Sequence, residues 1–336
     1  MISVLICTFS KMTPVEEIIQ KWIKKGNETA VLDLSGLRIE KLPKLPSKLQ
    51  KLNCSKCPIR KLPELPTNLQ VLDCSNCSIE ELPELPTNLQ VLDCSHCIIV
   101  SLPKLPESLQ KLQCNNCYIK ELPKLPANLQ HLNCSACPIK LLPELPESLQ
   151  KLFCLDCSIK ELPKLPTNLQ SLYCSNCPIE ELPELPLNLQ SLYCSYSLIK
   201  KIPELPESLQ ELFCFKCDNL KELPKLPESL QELICSQCPI LEKLPELPAK
   251  LKLLQCSMCP VKSLPELSES LKYLYCSNCS NLEEFSKLPP NLQTLECSGC
   301  IHLEELPELP PNLQILDCWH CPIKSLPSIL PANIRL

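Results

Sequence analysis

Pairs of cysteines separated by two residues recur through most of the chain, and cysteine accounts for 28 of its 336 residues. The pairs Cys54–Cys57 and Cys74–Cys77 are separated by 16 residues, which matches the CxxC-x16-CxxC pattern of zinc ribbons. Structural zinc needs four thiolates that converge at about 2.3 Å, whereas paired thiols in an oxidising compartment form disulfides. Three kinds of chemistry are therefore open: metal binding, disulfide bonding, or buried thiols without either.

Residues that support other chemistry are few and scattered. The four histidines are His96, His131, His302 and His320. None is placed against a Ser or Cys and an acid in a way that the repeat itself does not already explain. The 3 glycines form no phosphate-binding loop or dinucleotide motif. A net charge of −5 gives no basic surface for nucleic acid or anionic lipid. We therefore predict no enzyme activity, no catalytic residues, no cofactor, and no nucleic-acid or membrane partner.

The cysteine pairs belong to an internal repeat. Residues 62–81 read LPELPTNLQVLDCSNCSIEE, and residues 82–101 read LPELPTNLQVLDCSHCIIVS. The position of Cys74 recurs every 20 residues up to Cys214 and every 20 or 21 residues after it, which gives 15 units. The equivalent positions are Leu34, Cys54, Cys74, Cys94, Cys114, Cys134, Cys154, Cys174, Cys194, Cys214, Cys235, Cys256, Cys276, Cys297 and Cys318. A period this short indicates a solenoid in which each unit contacts only its neighbours.

The unit LxxLxCxxCxIxxLPxLPxx predicts one short strand and one extended connection. In the strand, Leu72 and Cys74 point inward, while residues 71 and 73 point outward. Two prolines three residues apart exclude a helix from the second half and favour polyproline-like backbone. We therefore predict an α/β repeat solenoid of about 15 repeats over residues 31–336, with a parallel sheet on one side and a polyproline-like other side.

Residues 1–30 form a separate N-terminal segment with a helical cap. Thr13 and Glu16 match a capping box, Pro14 takes the first helical position, and Gly26 is a C-terminal stop. We expect this helix to shield the first repeat. Upstream of it, the apolar run Ile2–Phe9 is far shorter than the roughly 18 residues that span a bilayer. It also lacks the features of a cleaved signal, so we expect a buried strand or cap there.

The repeat changes the interpretation of the cysteines. Both positions of each pair point into the solenoid and form continuous columns, so nothing groups four thiols into one zinc site. Parallel in-register side chains also give poor disulfide torsions. Because the first unit has Leu34 and Leu37 at these positions, we predict reduced core cysteines and an intracellular, reducing compartment. The second thiol of each pair should donate weakly to the turn backbone. A metal-binding or redox-active cysteine array is the alternative.

From about residue 31 to the end, the LPxLP segments and the LxxLxCxxCxI half resemble leucine-rich-repeat proteins. They are most similar to the effectors that enteric bacteria inject into host cells, with Cys74 and Cys77 where those proteins usually carry Val and Asn. The resemblance implies a leucine-rich-repeat horseshoe with a concave parallel sheet, and action in host cytoplasm. Several of those effectors carry a ubiquitin-ligase domain after the repeats, and we expect none here. The composition also resembles repeat proteins of large DNA viruses of amoebae.

One outward column of the predicted sheet changes character abruptly. The residue before the marker cysteine is polar or acidic in the first six units, for example Asp73 and Asp93. Large apolar residues then occupy it in five successive units, with a tyrosine further on. These candidate binding residues are Phe153, Tyr173, Tyr193, Phe213, Ile234 and Tyr275. A contiguous exposed apolar strip is typical of an interaction site; the alternative is that the aromatic rings only stabilise the sheet.

These observations predict a non-enzymatic protein-interaction scaffold that binds a protein partner on its concave face. Two further functions stay open. The chain is alternatively the substrate-recognition module of a host-directed ubiquitin-ligase system, or the cysteine array is itself the functional part.

Overall fold

The computed structural model describes residues 13–325 and residue 331. The chain divides into two compact units, Met1–Leu129 and Gln130–Leu336. The segment Ile2–Phe9, for which the sequence predicts a buried strand or cap, lies outside the described residues.

The first unit begins with helix α1 (Pro14–Lys25), and both of its ends form as predicted. The Glu16 backbone N–H donates to the Thr13 hydroxyl at 3.4 Å, and the Thr13 N–H donates to Glu16 Oε2 at 2.8 Å. Gly26 ends the helix with a φ of 65°. The Trp22 indole N–H donates to the Ala30 carbonyl at 3.2 Å, which ties the helix to the chain entering the first strand.

Each repeat, called a rung below, contributes one three-residue strand, and within each unit the strands pair in parallel and in register. The strands of the first unit are β1 (Val31–Asp33), β2 (Lys51–Asn53), β3 (Val71–Asp73), β4 (Val91–Asp93) and β5 (Lys111–Gln113). Those of the second unit are β6 (His131–Asn133), β7 (Lys151–Phe153), β8 (Ser171–Tyr173), β9 (Ser191–Tyr193), β10 (Glu211–Phe213), β11 (Glu232–Ile234), β12 (Leu253–Gln255), β13 (Tyr273–Tyr275), β14 (Thr294–Glu296) and β15 (Ile315–Asp317).

The core of each unit is a stack of equivalent apolar side chains. In the rung of β3, Leu72, Cys74 and Ile79 are fully buried, and Leu69 precedes the strand with the same burial. Burial of a leucine or isoleucine side chain contributes about 1.5–3 kcal/mol, so the repeated pattern supplies the main stabilisation of every rung. The described LPxLP segments contain no helix or strand. Three isolated bridges join residues that precede such segments, for example Lys41 and Lys61. The predicted repeat solenoid with a parallel sheet and an N-terminal helix is confirmed.

A left-handed residue recurs two positions after the marker cysteine, and the sequence alone did not reveal it. Its φ lies between 53° and 59° in non-glycine residues of every type, including Lys56, Ala136 and Tyr196. Gly36 and Gly299 occupy the same position in their rungs. The conformation directs the backbone N–H toward the next rung: Asn76 donates to the Ser95 carbonyl at 2.8 Å. Contact between rungs therefore imposes a conformation that L-residues normally avoid.

Candidate functional site

The two cysteine columns lie inside the solenoid, as predicted. Cys74, the first of its pair, has no exposed surface, and Cys77 is 6% exposed. The Cys77 thiol donates to the Cys54 carbonyl of the preceding rung at 3.3 Å, and Cys177 donates to the Cys154 carbonyl at 3.0 Å. The prediction that the second thiol donates to turn backbone is therefore confirmed.

Burial also disfavours ionisation of thiols in the first of the two columns. Loss of solvation raises the pKa of Cys74, Cys94 and Cys154 well above the ordinary thiol value. Metal binding and nucleophilic attack both require the thiolate, which this environment disfavours. No described cysteine takes part in a disulfide. Only Cys318 and Cys321, in the last described rung, are partly exposed.

Polar side chains of the outward sheet surface have a local structural task in the first unit. We call this surface the strand face; it consists of the first and third residues of each strand. Asp73 Oδ1 accepts from the Ser75 backbone N–H at 3.0 Å and from the Ser75 hydroxyl at 2.7 Å. Asp93 holds Ser95 in the same way. These contacts are Asx turns, and they close the turn after each strand.

The predicted aromatic residues of the second unit stack on one another. Ring centroids lie 4.5 Å apart between Phe153 and Tyr173, 4.4 Å between Tyr173 and Tyr193, and 4.2 Å between Tyr193 and Phe213. We call these four residues the aromatic ladder; all four are half-buried. Ile234 continues the column in register with Phe213. Phe153, Tyr173 and Tyr193 stack nearly face to face, whereas the Phe213 ring is tilted by 55° against that of Tyr193.

Tyr275 stands apart from the ladder. Gln255 lies between Ile234 and Tyr275 in the register of the sheet, so the apolar column is interrupted by an amide. Burial and the neighbouring Glu296 raise the pKa of the Tyr275 hydroxyl. The structure therefore brings five of the six predicted residues into one continuous column and leaves Tyr275 separate.

In three of the four ladder rungs, a hydrogen bond between rungs replaces the Asx turn. The backbone N–H two residues after Phe153, Tyr193 or Phe213 donates to a serine hydroxyl of the preceding rung. Leu155 donates to Ser135 at 3.2 Å, and Phe215 donates to Ser195 at 3.1 Å. The serine hydroxyl thus substitutes for the lost carboxylate, and the strand-face position is released from its local task.

Further apolar residues, which the sequence analysis did not single out, lie in the turns that follow the strands. Leu155 and Phe215 occupy positions where most rungs have serine. Tyr196 packs edge-on against Phe215 at 5.2 Å between ring centroids, and Lys216 Nζ lies 5.5 Å from the Tyr196 ring centre. Tyr196 is 50% exposed. The exchange of serine for leucine or phenylalanine at this position is the sequence signal for these residues.

The described residues contain neither a metal-binding cluster nor a membrane-spanning helix. No group of three or more His, Cys, Asp or Glu side chains within residues 13–325 is arranged to hold a metal ion. Over the same residues, no helix has the length and apolar character needed to cross a membrane.

The chain is similar to leucine-rich-repeat families and to solved structures of leucine-rich-repeat proteins. Family models described as "Leucine Rich repeats (2 copies)" and "Leucine Rich Repeat" match residues 67–107 and 168–187. YopM from Yersinia pestis, described as a leucine-rich effector protein, is 34% identical, with a TM-score of 0.86 over 95% of this chain and 90% of that chain. YopM from Yersinia enterocolitica WA-314 is 29% identical, with a TM-score of 0.70 over 95% of this chain and 92% of that chain.

A third solved structure bears on the cysteines. The functional domain of InlJ from Listeria monocytogenes, which includes a cysteine ladder, is 25% identical. Its TM-score is 0.63 over 77% of this chain and 60% of that chain. Comparison with curated protein sequences gives no significant match.

Proposed function

We propose that this chain, which belongs to the leucine-rich-repeat proteins, is a non-enzymatic scaffold that binds a protein partner through its aromatic ladder. The observation that carries the proposal is the exchange of turn chemistry in the aromatic rungs. Where the third strand residue is Asp or Asn, as at Asp73, it closes its own turn. Where it is Phe153, Tyr193 or Phe213, a serine hydroxyl of the preceding rung takes over that task. The solenoid folds with either arrangement, so closing the turn does not require the aromatic residues.

The geometry of the ladder favours a protein as the ligand. Nucleic-acid bases and sugar rings bind aromatic side chains by stacking on open faces, but here Tyr173 and Tyr193 cover each other's faces. What remains accessible is a strip of ring edges with the Tyr hydroxyl groups. Such a strip suits apolar protein side chains, and Tyr is enriched at the energetic centres of protein interfaces. Solenoids commonly bind their partners on the concave sheet surface.

Affinity capture with matched variants tests this proposal. The ladder variant carries Tyr173→Gln, Tyr193→Gln and Phe213→Gln, because Gln113 and Gln255 already occupy this strand position in other rungs. The control variant carries Val71→Gln, Val91→Gln and Lys111→Gln, three half-buried strand-face positions outside the column. Circular dichroism and urea unfolding establish that both variants are folded before the capture is interpreted.

We expect a partner that is retained by the wild type and by the control variant and is lost by the ladder variant. The captured partner is then purified and its affinity for each variant measured by titration. A partner that binds the ladder variant as tightly as the wild type contradicts the proposal. Ubiquitin-conjugating or ubiquitin-ligase proteins among those lost with the ladder would identify the scaffold as a recognition module of such a system.

We also propose that the scaffold works in a reducing compartment. Its fold buries long columns of thiols whose hydrogen atoms take part in hydrogen bonds to carbonyls, as at Cys77. Conversion to disulfides would remove those donors. Thiol counting by alkylation and mass spectrometry on protein isolated from its native source should find the core cysteines reduced; intact disulfides between neighbouring rungs would contradict this.

A further inference from the structure

Two glutamate carboxylates lie beside the aromatic ladder, and neither forms an ion pair within the described residues. Glu211 and Glu232 are the first residues of β10 and β11, lie directly opposite each other in the register, and are both half-buried. Neighbouring strands are about 4.8 Å apart, and like charges placed directly opposite in a sheet are destabilising. A half-buried pair of this kind therefore costs stability in the isolated chain.

The groups around the pair do not offset its charge. The Tyr193 hydroxyl donates to Glu211 Oε2 at 2.9 Å, and both carboxylates contribute to a raised pKa of that hydroxyl, which is chiefly due to burial. The ion pairs found within the described residues join lysines to Glu28, Glu180 and Glu304. None of them involves Glu211 or Glu232.

The first strand position also carries a charge gradient along the ladder. Lys151 occupies it beside Phe153, the small residues Ser171 and Ser191 occupy it beside the two tyrosines, and Glu211 occupies it beside Phe213. Four strand spacings separate Lys151 from Glu232, a span of about 19 Å. Two small serines therefore lie beside the tyrosine rings, with a positively charged residue at one end of the row and negatively charged residues at the other.

We infer that the partner binds through an amphipathic protein segment whose apolar side chains pack along the aromatic ladder and whose lysine or arginine lies between Glu211 and Glu232. This inference rests on the proposed function and adds the chemistry of the partner. A cation placed there removes the repulsion between the two carboxylates and gains charge-assisted hydrogen bonds in a partly desolvated site. A segment of about 13 residues as a helix, or about 6 as a strand, covers the span.

Selection of peptides from a random display library of about 16 residues, long enough for either conformation, tests the inference with the full chain as bait. We expect enriched peptides to combine an apolar row with a Lys or Arg at one end. Such a peptide, once synthesised, should bind the Glu211→Gln, Glu232→Gln variant about tenfold more weakly than the wild type. The matched control is Glu283→Gln, Glu284→Gln, two exposed acids outside the strand face, which should leave the affinity unchanged.

A charge exchange makes the test specific. The Glu211→Lys, Glu232→Lys variant should lose the basic peptide and bind a version in which Glu replaces the basic residue. Peptides that need Tyr173, Tyr193 and Phe213 but not the two glutamates would overturn this inference and leave the proposed function standing. If the enriched peptides bind the ladder variant as tightly as the wild type, or if no peptide is enriched, both the inference and the proposed function are wrong.

Discussion

Ala136 provides the sharpest test of the left-handed position in each rung. Its φ is 54°, and its backbone N–H donates to the Leu155 carbonyl of the next rung at 2.7 Å. An L-residue in this conformation costs about 1–2 kcal/mol, which glycine avoids. Glycine in turn lowers the stability of the folded state by about 0.5–1 kcal/mol, because it gives the unfolded chain more conformational entropy. Ala136→Gly should therefore stabilise the second unit by about 0.5–1 kcal/mol.

The same substitution at Ala249 is the matched control. Ala249 is exposed, belongs to the same unit, and does not have a positive φ. Its carbonyl accepts from the Ser268 hydroxyl at 2.7 Å, and glycine keeps that carbonyl. Here only the entropy of the unfolded chain changes, so Ala249→Gly should destabilise the unit by about 0.5–1 kcal/mol.

Urea unfolding of the full chain, followed by circular dichroism, measures both changes. Ala136→Gly should raise the midpoint and Ala249→Gly should lower it, with an unchanged slope against urea in both cases. If both substitutions lower the midpoint by the same amount, the residue at position 136 is not held in the left-handed conformation by its neighbours, and the account of the rung given above is wrong.

Four further predictions are measured by the same unfolding experiment. Tyr193 packs against two rings and Phe153 against one, and each aromatic pair contributes about 0.5–1.5 kcal/mol. Tyr193→Gln should therefore cost about twice as much as Phe153→Gln, and equal losses would contradict the ladder. Ser195→Ala should cost about 1–2 kcal/mol because it leaves a backbone N–H unpaired. Ser236→Ala should be neutral or stabilising, since the Ser236 hydroxyl is buried without a partner among the described residues; a large loss at Ser236 would refute this. Burial, with a smaller effect from the adjacent aspartate, raises the pKa of Glu296 in the folded state, so this carboxyl lowers stability as the pH rises through its titration range. Glu296→Gln should then raise the urea midpoint at pH 7 and have no effect below about pH 4, whereas a gain that persists in acid would have another cause.

The sequence was sufficient to predict the fold because the repeat carries the same information many times. The alternation of Leu72 and Cys74 with outward residues 71 and 73 follows from residue type and spacing, and it is observed in the burial of β3. The capping box at Thr13 was equally predictable, since both its donors and its acceptors are local.

The left-handed position was not predictable in the same way. Residues as different as Lys56, Tyr196 and Met258 occupy it, so no residue type marks it, and only Gly36 and Gly299 hint at the conformation. What imposes it is a hydrogen bond to a residue about 20 positions away in the next rung. Such a contact depends on the stacking of complete rungs, and local sequence patterns do not contain it.

The strand face shows how a repetitive fold acquires one distinctive surface. In the polar rungs, a residue such as Asp73 is committed to its own turn, and changing it alone would leave the Ser75 N–H without its acceptor. Once the serine hydroxyl of the preceding rung provides that acceptor, as Ser135 does for Leu155, the third strand position is free to carry a residue chosen for other reasons. Three of the four ladder rungs have this replacement, so a carboxylate is not needed there to close the turn. The third strand position can then carry an aromatic ring, and this freedom is the basis for proposing the ladder as a surface that binds a partner.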